Sequence, residues 1–117
     1  MAYDSNNIFA RILGGEIPCN KVYEDVFALA FHDIAPAAPI HVLVVPKGDY
    51  ESFADFVAKA GAKNVGQFFE SVHKVVQQLG LKDFRIITNN GAVAGQSVFH
   101  FHVHILAGKS MSALLAE

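Results

Sequence analysis

The first apolar stripe, Ile8–Leu13, is preceded by Asn6 and Asn7 and followed by Gly14-Gly15. A polar cap before the stripe and glycines after it predict a short helix. Lys21–Glu24 and Phe27–His32 read as brief strands. Ile34–Pro39 (IAPAAP) reads as a turn, because proline fixes φ and has no N–H to give a ladder. Ile40–Val45 (IHVLVV) follows as a buried strand, stopped by Pro46 and Gly48. The spacing then changes. Glu51–Ala60 predicts a helix ending at Gly61. Val65, Phe68, Phe69, Val72, Val75, Val76 and Leu79 form one wide helical stripe. Asn64 with Gln67 resembles a capping box, and Gly80 supplies the stop. Phe84–Thr88 predicts a strand, Asn89-Asn90-Gly91 a turn, and Val98–Leu106 a last strand. Two or three helices beside five short strands predict an α+β fold with an antiparallel sheet.

The last strand carries the chemistry. In QSVFHFHVHIL, His100, His102 and His104 alternate with Phe101, Val103 and Ile105. Successive strand side chains point to opposite faces, which puts the three imidazoles on one face about 6.6 Å apart. Three readings follow. The histidines could simply line the solvated face of an edge strand, although three imidazoles together repel when protonated. They could bind zinc or iron with His41 or Asp33, but the outer two lie about 13 Å apart, too far for one ion without a strong bend. Or one imidazole is a nucleophile and its neighbours hold an anion, a use that suits the spread along the strand.

Composition narrows the setting. At 117 residues the chain makes one domain with a core that needs no staples. Hydrophobic residues are 52% and charged residues 17%, an apolar surplus that a subunit interface would absorb. A net charge of −2 argues against a general grip on nucleic acid. The lone Cys19 excludes an intrachain disulfide and any cysteine-based zinc motif, and fits a reducing compartment. No leader pattern and no apolar run of about 20 residues is present, so cytoplasm, without membrane contact, is the expected location.

His100-Phe101-His102-Val103-His104-Ile105-Leu106 resembles the histidine-triad motif, His-x-His-x-His-x-x with apolar x. IFARILGGEIP, AFHDIAPAAPIHVLVVPK, TNNG and AGQSVFHFHVHIL are similar to the Hint branch of that superfamily, over about Ile8 to Gly108. The resemblance implies a histidine-triad (HIT) fold across residues 1–117, with a five-stranded sheet continued across a homodimer and 109–117 as a C-terminal tail. It implies a purine nucleoside phosphoramidase that cleaves the P–N bond of adenosine or guanosine 5′-monophosphoramidates and releases AMP or GMP. Neither metal nor cofactor is expected. The alternatives are a dinucleoside polyphosphate hydrolase of the same superfamily and a non-catalytic nucleotide-binding or scaffold protein.

The resemblance also assigns residues. His102 is the expected nucleophile, with its second ring nitrogen held by the backbone carbonyl of His100. His104 and His41 are expected on the phosphate side, donating hydrogen bonds or aiding the leaving group. Gln96 and Ser97 would reach the phosphate and the leaving nitrogen, and Asn89 would add a phosphate contact. Gly95 would let the backbone approach the anion. Asp33 is expected to accept from both ribose hydroxyls. Phe9, Phe31, His32 and Ile34 would wall the base. His73, on the long helix, has no assigned role. In the Hint branch the tail runs towards the partner's active site; here it offers Met111, Leu114 and Leu115.

Overall fold

The alternation of apolar residues closes into one antiparallel sheet. Its strands are β1 (Lys21–Glu24), β2 (Ala28–His32), β3 (Ile40–Pro46), β4 (Arg85–Ile87) and β5 (Val103–Ala107), in the order β1-β2-β3-β5-β4. Every neighbouring pair is antiparallel. A computed structural model describes residues 2 to 115; the expected tail's last two residues lie outside the described residues.

Helices cover both faces. On one face, Phe56 of α2 (Phe53–Ala60) and Phe68, Val72, Val75 and Val76 of α3 (Ala62–Gln78) pack on Ala28, Ala30, Val42, Val44, Val103 and Ile105. On the other, Phe9 of α1 (Ile8–Leu13) packs with Leu29, Phe31, Leu43 and Val45. Odd and even strand positions thus serve different layers. The face under α1 also carries His41 and His104.

The β1–β2 hairpin is anchored by one carboxylate. Asp25 Oδ1 accepts from the Phe27 and Ala28 backbone N–H groups, at 2.7 and 2.9 Å. Its Oδ2 accepts from Tyr23 Oη at 2.9 Å and from the buried Ser71 Oγ at 2.6 Å, which ties the hairpin to α3.

The strand expected over Val98–Leu106 is shorter. Only His104 of the three histidines lies on β5. Val103 is the last residue paired, with Val44; further along β3, Pro46 has no N–H to offer. The Pro46 carbonyl instead faces His100 Nε2 at 3.0 Å, and the Phe101 N–H turns to the Tyr50 carbonyl at 2.7 Å. Facing still alternates: Phe101 stacks on Phe56 at 4.8 Å, while His102 and His104 turn to the α1 face.

Three other expectations change. Asn89-Asn90-Gly91 is no tight turn but opens a long connection with a 3₁₀ turn at Ala92–Ala94. The Asn64–Gln67 capping box is absent: α3 starts at Ala62 behind Gly61, and Asn64 Nδ2 donates back to the Ala60 carbonyl. Helix α2 starts at Phe53 because Ser52 accepts the Asp55 N–H and caps it.

Candidate functional site

The register of β3 against β5 sets the site. Leu43 lies opposite His104 and His41 opposite Leu106, so His41 and His104 are diagonal neighbours on one face. Their ring centroids are 5.2 Å apart, and His41 Nε2 lies 2.9 Å from His104 Nδ1.

Hydrogen-bond direction fixes the tautomers, because a backbone N–H only donates and a carbonyl only accepts. The Ala37 N–H donates to His41 Nδ1 at 3.0 Å, so neutral His41 carries its proton on Nε2. That proton is given to His104 Nδ1, which leaves neutral His104 with its N–H at Nε2. His102 Nδ1 lies 2.7 Å from the His100 carbonyl and must be N–H, so its Nε2 is a free lone pair. His102 is buried, with Phe9 edge-on at 4.9 Å. Burial lowers its pKa against the opposing pull of the His100 carbonyl. Burial, then His102 and His41, push the pKa of His104 down to about 4. Both rings are therefore neutral at pH 7.

The cavity in front of these rings has a volume of about 330 Å³, within the range of roughly 300–1,000 Å³ usual for small-molecule sites. Phe9, Phe31, His32, Asp33, Ile34, Ser97, His102 and His104 line it. Asp33 Oδ1 accepts the Ala35 N–H at 2.8 Å, and Oδ2 lies 3.4 Å from His41 Nε2. Ile34 is 96% exposed at the rim, an apolar side chain with nothing over it. A larger cavity, about 800 Å³, lies between Lys82–Arg85 and Gly108–Met111 but contains no histidine.

Other expected site residues stand apart from the cavity. His41 stands behind His104. Gln96 is buried with its amide engaged: Oε1 accepts from the Gly91 N–H, and Nε2 donates to the Glu51 and Val98 carbonyls. It braces the loop, which corrects its expected reach to a phosphate. Asn89 packs beside Gly95, whose φ of 107° requires glycine, and neither lines the cavity. The ring of His100 is turned away from that of His102, into a buried niche beside Tyr3. The cavity is also lined by Ile8, Ile12, Leu43 and Val98, all inside the segments that carry the resemblance, and by Cys19 and Asn20, which lie outside them, as does Tyr3 beside His100.

Asp33, His41 and His104 each offer one ligand atom within 4.8 Å of the others, a spacing that suits a metal ion, and His41 Nε2 is the atom that approaches both neighbours. The proton on His41 Nε2 conflicts with that use. Freeing Nε2 for a metal would move the proton to Nδ1, against the Ala37 N–H. The three residues as hydrogen-bonded here do not fit an ion.

The HIT domain family model matches residues 14–111. A 13.2 kDa HIT-like protein of Azospirillum brasilense is 46% identical, over 98% of this chain and 96% of its own. The structure of a histidine triad protein from Clostridium difficile superposes with a TM-score of 0.86 at 41% identity, covering 98% of this chain and all of that one. That of a HIT family hydrolase from Clostridium thermocellum gives 0.86 at 36%, covering 97% and 99%. With the matched model spanning most of the sequence and the sheet and histidine cavity in place, the chain belongs to the HIT domain family.

Proposed function

We propose that the protein is a metal-independent hydrolase that cleaves the P–N bond of purine nucleoside 5′-phosphoramidates through a nucleotidyl-histidine intermediate. The observation that carries this reading is the His102 tautomer: Nδ1–H held by the His100 carbonyl, Nε2 left as a lone pair beside the cavity. Nε2 attacks phosphorus, the P–N bond breaks, and the leaving nitrogen keeps the bonding pair and takes a proton relayed from solvent through the Ser97 hydroxyl. Water then attacks the phosphorus, frees His102 and releases AMP or GMP.

The other groups have matching tasks. The His104 N–H at Nε2 donates to a phosphoryl oxygen or towards the leaving nitrogen, and Ser97 at the rim adds a hydroxyl. Both act where negative charge spreads in the transition state. Asp33 receives the ribose hydroxyls, while Phe9, Phe31 and Ile34 give the base flat apolar contact. The resemblance to the Hint branch supports a homodimer, as do Phe69, Phe84 and Ile86, which are 36–45% exposed.

The test is a turnover screen in chelator, setting adenosine and guanosine phosphoramidates against diadenosine polyphosphates. The proposal requires P–N cleavage that survives the chelator. Preferential cleavage of the polyphosphates would assign the protein to the other enzyme class, and binding without turnover would make it a nucleotide-binding protein.

A further inference from the structure

Beside the histidine cavity runs a second chain of hydrogen bonds. His100 is fully buried, and its Nε2, 3.0 Å from the Pro46 carbonyl, must be N–H. Its Nδ1 then accepts, and Tyr3 Oη donates to it at 2.6 Å. Tyr3 Oη in turn accepts from Asn7 Nδ2 at 2.9 Å. The Asn7 amide has one possible orientation: Oδ1 takes the Ala10 N–H at 2.9 Å, and Nδ2 also donates to the Asp4 carbonyl at 2.7 Å. Protons therefore point one way, from Asn7 to Tyr3 to His100 to Pro46.

Two supports of His102 meet at this chain. Asn7 is the N-cap of α1, the helix that sets Phe9 against the His102 ring. His100 supplies the carbonyl that holds His102 Nδ1. We propose that Tyr3 and Asn7 are positioning residues for the nucleophile: they hold His100 as its neutral Nε2–H tautomer, and with it the carbonyl that orients His102. A ring fixed at both nitrogens cannot swing its residue. A neutral ring also places no positive charge beside His102, where a cation would weaken Nε2 as a nucleophile.

The surroundings of His100 are mixed in sign. Asp49 favours a charged ring and His102 opposes it. Glu24 and Lys47 line the same niche with Tyr3, and Asp4 lies close enough to act on Tyr3. Burial is the largest influence and keeps the ring neutral.

This inference rests on the nucleophile reading of His102, and Asn7→Asp separates positioning from stability. Aspartate caps a helix as well as asparagine does, so Ala10 keeps its partner. A carboxylate has no N–H, however, and takes the Tyr3 proton for itself. His100 Nδ1 is then free to bind a proton and donate it to Tyr3 Oη, leaving the ring an imidazolium. The ¹⁵N signals of His100 should show a neutral Nε2–H ring in the wild type at pH 7 and a protonated ring in the variant. The kcat should fall about tenfold at pH 6, a change within reach of one redirected hydrogen bond. It should recover above pH 8 with KM nearly unchanged, whereas the melting temperature, lowered by loss of the Asn7 Nδ2–Asp4 carbonyl bond, should stay lowered there, which separates the two effects. Tyr3→Phe keeps the ring and loses the hydroxyl; kcat should drop roughly three- to tenfold at every pH. Wild-type kcat, pH profile and ¹⁵N signals in both variants would overturn the proposal. If the wild type cleaves no phosphoramidate, the functional reading fails instead, and the ¹⁵N spectra of His100 and His102 in the substrate-free protein still decide the positioning role.

Discussion

The backbone carbonyl of His100 lies 2.7 Å from Nδ1 of His102. This one contact decides which nitrogen of a buried ring keeps its lone pair. Any residue at position 100 would offer that carbonyl; it reaches the ring two positions on because the backbone leaves the ladder before Val103.

Replacing His102 with alanine should remove the nucleophile and leave the pocket walls. Turnover of an adenosine phosphoramidate should fall by about 10³-fold or more, while nucleotide binding by calorimetry persists. His102→Gly should regain part of its activity with added imidazole. An acid-labile, base-stable adduct on His102, seen by mass spectrometry after a quench, should vanish in both variants. Near-normal turnover in His102→Ala would remove it from the role of nucleophile.

The pH profile follows from the ring environments. An attacking imidazole must be unprotonated, and burial lowers the pKa of His102 below the ordinary value of 6.5. The acid limb of kcat/KM should therefore be centred below pH 6.5. A limb centred at or above pH 6.5 would contradict a buried neutral nucleophile.

Stability should show the same burial. His100, His102 and His104 all have lowered pKa values in the folded protein, His104 to about 4. Between those values and 6.5 the unfolded chain binds more protons than the folded one, so stability rises with pH there. The contribution is complete above pH 6.5 and is lost as pH falls from 6.5 towards 4. Melting temperature measured from pH 8 to pH 4 should decline across that window. A flat curve would mean that the rings are protonated in the folded state.

Asp25 should act on stability alone. Burial works to raise its pKa, but hydrogen bonds from Ser71, the Phe27 N–H, Tyr23 and the Ala28 N–H outweigh this and lower it. Asp25→Ala strips the hairpin of its acceptor and leaves Ser71 without its carboxylate partner. It should cost roughly 2–4 kcal/mol, as hydrogen bonds to a charged group lose their partner. Denaturant unfolding measures the loss, and kcat on a phosphoramidate should stay within about twofold, since no residue of this anchor lines the cavity. A comparable loss of kcat would show that the hairpin is coupled to the histidines.

Local patterns made the elements legible. Helix α1 and strand β1 have the predicted bounds, and the Val65–Leu79 stripe lies within and just beyond α3. The errors arose where distant partners decide. Pro46 and Tyr50 end the β5 ladder from another strand and loop. Gln96 looked like a free amide because its partners, Gly91, Glu51 and Val98, meet only in the folded loop. The motif marked His102 and His104, but the tautomer of His41 depends on the Ala37 N–H, and the ring of His100 depends on Tyr3, 97 positions away.

The tail gives the last prediction. Arg85 Nη2 donates to the Ser112 carbonyl at 2.8 Å and fastens the tail beside the sheet-edge strand β4. None of residues 108–111, which face Lys82–Arg85 across the larger cavity, lines the histidine cavity of its own protomer. Leu114 and Leu115 are 86% and 91% exposed. If the tail selects the leaving amine, it does so in a second copy of the chain. Removing residues 109–117 should change the ranking of kcat/KM across amine leaving groups while the simplest phosphoramidate is still cleaved. If the chain pairs as proposed, co-expressing this truncated chain with full-length His102→Ala gives mixed dimers whose one intact His102 would face the partner's tail. Those dimers should restore the full-length ranking. An altered ranking that the mixed dimers fail to restore would place the effect within one protomer. An unchanged ranking in the truncated homodimer would mean that the tail selects no amine.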